Sequence, residues 1–113
     1  MAGFVASGIA RGEYPQIRAD QLDSVAREAE APTFLLDVRT PEEFAAGAIT
    51  GAINIPIDDL RSRLAAVPSD RLVVVYCAAG QRGYLATRML RQHGRDATNL
   101  SGGYKSYRMY FPS

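Results

Sequence analysis

The hydrophobic positions fall into short runs of two kinds. Phe34-Leu35-Leu36-Asp37-Val38 is a compact apolar run just after Pro32, the pattern of a buried strand. Leu72-Val73-Val74-Val75-Tyr76 is the strongest strand signal. It is continuously apolar and mostly β-branched, as a central strand covered on both faces requires. Ala52-Ile53-Asn54-Ile55-Pro56 and Ala97-Thr98-Asn99-Leu100 predict two shorter strands. Between these runs the apolar spacing changes to that of helices. Leu22, Val25, Ala26 and Ala29 share one face of a helix over about 21–30, with Asp20 as its expected cap. Thr40-Pro41-Glu42-Glu43 reads as a helix start: Thr40 caps, Pro41 takes the first helical position, and two acids lie in the first turn. Gly47 stops that helix.

Leu60, Leu64 and Val67 predict a helix over 58–67 that Pro68 ends. Leu85, Ala86, Met89 and Leu90 predict another over 83–93, with Gly94 just past its end, and a last helix follows over 103–108. Residues 3–11 form a candidate short helix, broken at Gly12-Glu13-Tyr14-Pro15. Strand and helix therefore alternate almost throughout. This predicts a single α/β domain with a mostly parallel central sheet of about four to five strands, sandwiched by helices. Residues 1–14 are expected to form an N-terminal tail or linker helix and residues 15–113 the domain. In such sheets ligands sit beyond the carboxyl ends of the strands, where the loop beginning at Cys77 lies.

Composition narrows the function classes. The 113 residues carry a formal net charge of +1, so no global field draws in nucleic acid or an anionic membrane. No stretch approaches the roughly eighteen apolar residues needed to span a bilayer. The start lacks a basic residue ahead of its apolar run, which makes it a poor secretory signal. One cysteine permits no internal disulfide and points to a reducing, cytoplasmic setting. One Cys and one His fall short of a structural zinc site, and no Gly-x-Gly-x-x-Gly offers a dinucleotide site, so neither metal nor cofactor is expected.

By residue type alone, a lone cysteine such as Cys77 is more often an inert buried hydrophobe than a nucleophile. Its neighbourhood favours chemistry. Cys77-Ala78-Ala79-Gly80-Gln81-Arg82-Gly83 must turn sharply from a buried strand into a helix. Small residues allow this, and such a turn can point several backbone N–H groups inward as an anion-binding nest. The helix from Gly83 adds its positive end and Arg82 a full charge at the rim. All three favour a thiolate, so Cys77 is expected to titrate below the free thiol value.

These residues resemble the rhodanese family, whose active-site pattern Cys-x-x-Gly-x-Arg is met by Cys77, Gly80 and Arg82. The resemblance extends over about residues 15–108. Asp37-Val38-Arg39 with Glu42-Glu43-Phe44 resembles the family's first signature. Gly47-Ala48-Ile49-Thr50-Gly51-Ala52-Ile53-Asn54-Ile55-Pro56 resembles its Gly-His-Ile-Pro-Gly-Ala-x-Asn-Ile-Pro stretch. Asn99-Leu100-Ser101-Gly102-Gly103-Tyr104 resembles its closing motif. Ala48 and Thr50 depart from the usual His and Pro, which removes a hydrogen-bonding group near the strand entry.

The resemblance implies a sulfurtransferase that carries sulfane sulfur as a persulfide on Cys77, taken from thiosulfate or a small-molecule persulfide and passed to a thiol or cyanide. The amides of residues 78–82 are expected to cradle that sulfur. Arg82 is expected to stabilise an anionic donor or orient the loop. Asp37 and Arg39 are expected to brace the loop, although a plain surface pair fits the sequence nearly as well. Gln81, Tyr84 and Tyr104 are candidates for the mouth, and His93 for a surface role. The Cys-x5-Arg loops of phosphatases have one residue more, which disfavours a phosphatase.

The segment from Met1-Ala2-Gly3-Phe4 through Tyr14-Pro15 is similar to the tail that precedes the appended rhodanese domain of coenzyme A disulfide reductases. This implies an alternative role as a sulfur-relay module serving a flavin-dependent coenzyme A disulfide reductase or persulfide reductase. A monomer or weak dimer is expected.

Overall fold

The computed structural model describes residues 16–29 and 31–111. The candidate helix at 3–11 and the breaker at 12–15 lie outside them. The described chain runs β1 (Gln16–Ile17), a 3-10 turn (Ala19–Gln21), α1 (Leu22–Glu28), β2 (Phe34–Asp37), α2 (Pro41–Ala46), β3 (Ile53–Asn54) and α3 (Ile57–Leu60). A second 3-10 turn (Arg61–Ala66), β4 (Val73–Tyr76), α4 (Gln81–Gln92), β5 (Ala97–Leu100) and α5 (Gly103–Tyr110) complete it. The five strands form one sheet in the order β1-β5-β4-β2-β3, and every neighbouring pair is parallel.

β4 lies at the centre, paired with β2 from Phe34↔Val73 to Asp37↔Tyr76 and with β5 from Val73↔Ala97 to Val75↔Asn99. All four of its residues are buried because alternate side chains serve opposite layers. Val73, Val75 and Cys77 join Leu36, Leu60 and Leu90 on one face. Val74 and Tyr76 join Ile17, Val25 and Leu100 on the other. Burying each such aliphatic side chain contributes roughly 1.5–3 kcal/mol. Two covered faces explain why the β4 sequence shows no alternation.

α2 forms as its sequence predicts. Thr40 Oγ1 accepts from Glu43 N at 3.1 Å, Glu43 Oε1 accepts from Thr40 N at 2.9 Å, and Gly47 follows the last turn. Three expectations change in detail. Asp20 sits inside a 3-10 turn instead of capping α1. The helix expected over 58–67 is one α-turn followed by a 3-10 segment, bent at Arg63 (φ −122°, ψ 25°). α4 begins at Gln81, two residues earlier than expected, because Gly80 (φ 112°) supplies a left-handed residue at its start. Only Cys77 to Gly80 therefore form the turn, and Gln81, Arg82 and Gly83 belong to the first helical turn. Among the described residues no helix is long and apolar enough to cross a membrane.

Candidate active site

Cys77 immediately follows the central strand, at the carboxyl edge of the sheet. The turn after it is fixed from three sides. At the start of α5, Tyr104 N donates to Cys77 O at 2.7 Å and Lys105 N to Ala78 O at 3.0 Å. From β5, Asn99 Nδ2 donates to Gly80 O at 3.2 Å. Gly80 O also accepts from Tyr84 N at 3.0 Å, the first bond of α4. With those carbonyls held, the Gly80 N–H donates to Cys77 Sγ at 3.0 Å.

Two glycines let the pieces approach this closely. A Cβ on Gly103 would overlap the Cys77 carbonyl oxygen, and one on Gly83 would overlap Asn99 Oδ1. Asn99 is buried, and its Oδ1 has no hydrogen-bond partner. Asn99, Gly103 and the α5 amides were visible in the sequence only as part of the closing motif, not as supports of the loop.

The thiol is buried beneath the turn and is not open to solvent. Cys77 is only 1% exposed and packs with the apolar cluster of Val38, Val75 and Ala86. The reason is geometric: the side chain continues the inward alternation of β4, and the turn folds over it. Of the cradle expected from residues 78–82, the Gly80 amide is the donor seen on sulfur. Ala79 and Gln81 are exposed on the outer side of the turn.

Arg82 is not a free charge at the rim. Its Nη1 and Nη2 donate to Glu43 Oε1 and Oε2 at 2.9 and 3.1 Å, a bidentate pair with both side chains 35% exposed. Glu43 thus closes the α2 capping box and grips the first turn of α4 with the same carboxylate. The Arg82 hydrogen bonds, followed by the Thr40 amide, hold the Glu43 carboxyl down at about 2. The same pair raises Arg82, against the opposing cost of its burial, and the nearby Cys77 charge adds to the rise. The Thr40-x-x-Glu43 spacing announced the cap. Nothing local announced the partner 39 residues away.

Asp37 and Arg39 form a buried pair, not a surface one: their side chains are 0% and 5% exposed. Asp37 Oδ1 accepts from Arg39 N at 2.8 Å, and Oδ2 accepts from Nη2 at 2.7 Å. Nη2 also donates to Gly47 O at 2.6 Å. The guanidinium lies over the Tyr104 ring at 4.5 Å and near Tyr76 at 5.5 Å. Desolvation works against its charge, but the Asp37 hydrogen bond and charge outweigh it and raise Arg39 further.

This pair touches the segment around Gly47 and the α5 ring rather than residues 77–83. Tyr104 accordingly packs beneath the sheet edge with Tyr76 and Tyr107, away from the mouth. The segment that lacks the usual His and Pro at Ala48 and Thr50 is held by Tyr76, whose hydroxyl oxygen accepts from Ile49 N at 3.1 Å. Burial, foremost, raises the Tyr76 hydroxyl far above the ordinary tyrosine range. Tyr84 is exposed under Arg88, and His93 is exposed with Nδ1 against Met89 O at 2.8 Å.

Beside the loop lies an open cleft of about 380 Å³. Val38, Pro56, Ile57 and Leu85 give it apolar walls, and Thr40, Asp58 and Arg82 line it with polar groups. Among the described residues no three His, Cys, Asp or Glu side chains gather as a metal site.

Comparison with known proteins gives a consistent set. The chain is 34% identical over 108 residues to human thiosulfate:glutathione sulfurtransferase, covering 82% of this chain and 92% of that one. It is 43% identical over 70 residues to a sulfurtransferase of Allochromatium vinosum, covering 61% of this chain and 65% of the relative. The solved structure of reduced Bacillus anthracis CoADR-RHD superposes with a TM-score of 0.80 at 39% identity. That match covers 94% of this chain but 18% of the other. Other curated relatives are also longer, with the match spanning 43% of a Mycobacterium tuberculosis HTH-type transcriptional regulator. The family model described as the rhodanese-like domain matches residues 19–110, and the chain belongs to that family.

Proposed function

We propose that this sulfurtransferase-type domain carries sulfane sulfur as a persulfide on Cys77. The observation that supports it most is the Gly80 N–H directed at Sγ in a turn whose carbonyls are tied outward. A fixed N–H dipole stabilises negative charge on sulfur without reorganising, both as thiolate and as persulfide. In the loading step the Cys77 thiolate attacks the outer sulfur of thiosulfate. A new S–S bond forms, the old one breaks, and its electron pair leaves on sulfite. In the unloading step an acceptor thiolate or cyanide takes that outer sulfur, and the Sγ–S electron pair returns to Cys77. Neither step needs an oxidant, a metal or a histidine base. Because Cys77 is buried, the turn around Ala78 and Ala79 must give way to admit the donor.

Asp37 and Arg39 position the strand end that carries the loop. Arg82 orients the first turn of α4 through Glu43. Gln81 and Gly83 complete that turn. Production of thiocyanate from thiosulfate and cyanide tests the reading. We expect turnover that Cys77→Ser abolishes, and turnover surviving in that variant would refute it.

A second reading is a relay serving a flavin-dependent coenzyme A disulfide reductase or persulfide reductase in the cytoplasm. It draws support from the match to CoADR-RHD, in which this chain corresponds to less than a fifth of a longer polypeptide. The loop argues against a phosphatase, since four residues separate Cys77 from Arg82.

A further inference from the structure

Asn99 is an unfavourable residue for the stability of this fold. It is 1% exposed on β5, and among the described residues its Oδ1 has no hydrogen-bond partner. A buried acceptor left without a donor destabilises the folded state. Across from it α4 has to carry a glycine, because a Cβ on Gly83 would overlap Oδ1. Glycine inside a helix is itself less favourable than alanine. The bond that the amide does make, from Nδ2 to Gly80 O at 3.2 Å, goes to an oxygen that Tyr84 N already holds at 3.0 Å. Neither packing nor backbone satisfaction therefore calls for an amide here, and a leucine of similar shape would remove the unpartnered oxygen.

What the amide touches is the residue that faces the sulfur. Gly80 has φ 112°, and its N–H points to Cys77 Sγ while its carbonyl points to β5 and α4. Glycine turns freely about both backbone dihedrals, so one bond to its oxygen leaves the N–H able to swing. The second bond, from Asn99, removes that freedom. On the other side Ala78 O is held by Lys105 N at 3.0 Å. The Ala79–Gly80 peptide, which carries the N–H, is then anchored at both ends.

We propose that Asn99 is a positioning residue for the sulfur chemistry: by holding Gly80 O it keeps the Gly80 N–H aimed at Cys77 Sγ and so favours the sulfur anion. Asn99 touches no reacting atom. Its role rests on Cys77 being the reacting sulfur, whatever donor or acceptor that sulfur meets. The charged groups packed around the turn keep their own arrangements when Asn99 is replaced: Arg82 pairs with Glu43, Arg39 pairs with Asp37, and Lys105 is exposed on α5.

The pH profile of Cys77 alkylation tests this. Cys77 is the single cysteine, so the mass gained from iodoacetamide reports it alone. The rate rises with pH to a plateau, and the midpoint of the rise measures how far the fold favours the anion. Asn99→Leu is expected to move that midpoint up by about one pH unit, the scale of one weakened hydrogen bond to a charged atom. Its urea midpoint should stay at or above that of wild type, since the unpartnered oxygen is gone. Asn99→Ala should show the same pH shift should the leucine variant fail to fold. Thr98→Val is the control: Thr98 is buried on the same strand with an unpartnered hydroxyl, but its side chain lies on the opposite face of the sheet. It should leave the alkylation midpoint where it was.

An unshifted midpoint in the Asn99 variants overturns the proposal, even with a faster plateau rate, which is what a merely structural tightening of the turn would give. An equal shift in Thr98→Val overturns it too. A wild type that never gains sulfur from thiosulfate, with the Asn99 shift present, would sink the persulfide reading and leave the positioning role standing. Sulfur loading with no Asn99 shift would do the reverse.

Discussion

Replacing Asp37 by asparagine tests whether the buried pair holds the edge of the sheet. The carboxylate accepts from Arg39 N, Nε and Nη2, with distances between 2.7 and 3.1 Å, and neither side chain has appreciable access to water. Asparagine keeps one acceptor oxygen but presents an NH2 group where the second oxygen stood. The guanidinium then keeps its charge in a buried site, with the Gly47 carbonyl and the two tyrosine rings as its remaining partners. A hydrogen bond to a charged group is worth roughly 1.5–3 kcal/mol, and breaking a buried pair costs about 3–5 kcal/mol. We expect a loss of about 3 kcal/mol, near the lower bound because the rings and Gly47 still stabilise the cation.

With a urea slope of about 1.5 kcal/mol/M for a domain this size, the midpoint should fall by about 2 M. Equilibrium urea unfolding followed by circular dichroism measures it. The double variant Asp37→Leu with Arg39→Met, which removes both charges, should recover part of the loss. A single-variant loss under about 1 kcal/mol, the range of exposed pairs, would refute the argument. So would a double variant that is less stable than Asp37→Asn alone.

Other outcomes follow from the same geometry. Gly83→Ala drives a methyl into Asn99 Oδ1, so it should destabilise by about 1–3 kcal/mol in the same unfolding assay and slow thiocyanate production. Glu43 is depressed from 4.5 to about 2 in the folded protein, so its pairing supplies stability above the unfolded value and loses it as pH falls from about 4.5 toward 2. The stability difference between wild type and Glu43→Gln should therefore be constant at neutral pH and shrink through that window, as pH-dependent thermal melts would show. Cys77 is covered by its own turn, so a bulky aromatic disulfide should modify it far more slowly than methyl methanethiosulfonate does, with the gap closing in urea.

The parts of this molecule legible in the sequence are those whose cause is local. β4 announces itself because both its faces are covered, which demands an unbroken β-branched run, and α2 does so because its cap, proline and stop are all within eight residues. β1 was not foreseen: two residues cannot display a period, and Gln16–Ile17 becomes a strand only because β5 offers it an edge. The bend at Arg63 was also hidden, since Leu60, Leu64 and Val67 reach the core whether the segment is α or 3-10.

At the site, the Cys–Gly–Arg spacing was readable, whereas the destinations of its charges were not. Arg82 finds Glu43 across the fold, and Asp37 and Arg39 sit buried although charged residues are ordinarily at the surface. The depth of Cys77 likewise follows from the strand's alternation continuing one residue past its last ladder bond, which the motif alone does not convey.

Whether sulfur becomes bound to Cys77 is the most direct question to put to this protein. Intact-mass measurement after incubation with thiosulfate should show a gain of one sulfur atom that a thiol such as dithiothreitol removes and that Cys77→Ser never acquires. A wild-type mass that stays unchanged, or an equal gain in Cys77→Ser, would contradict the persulfide account.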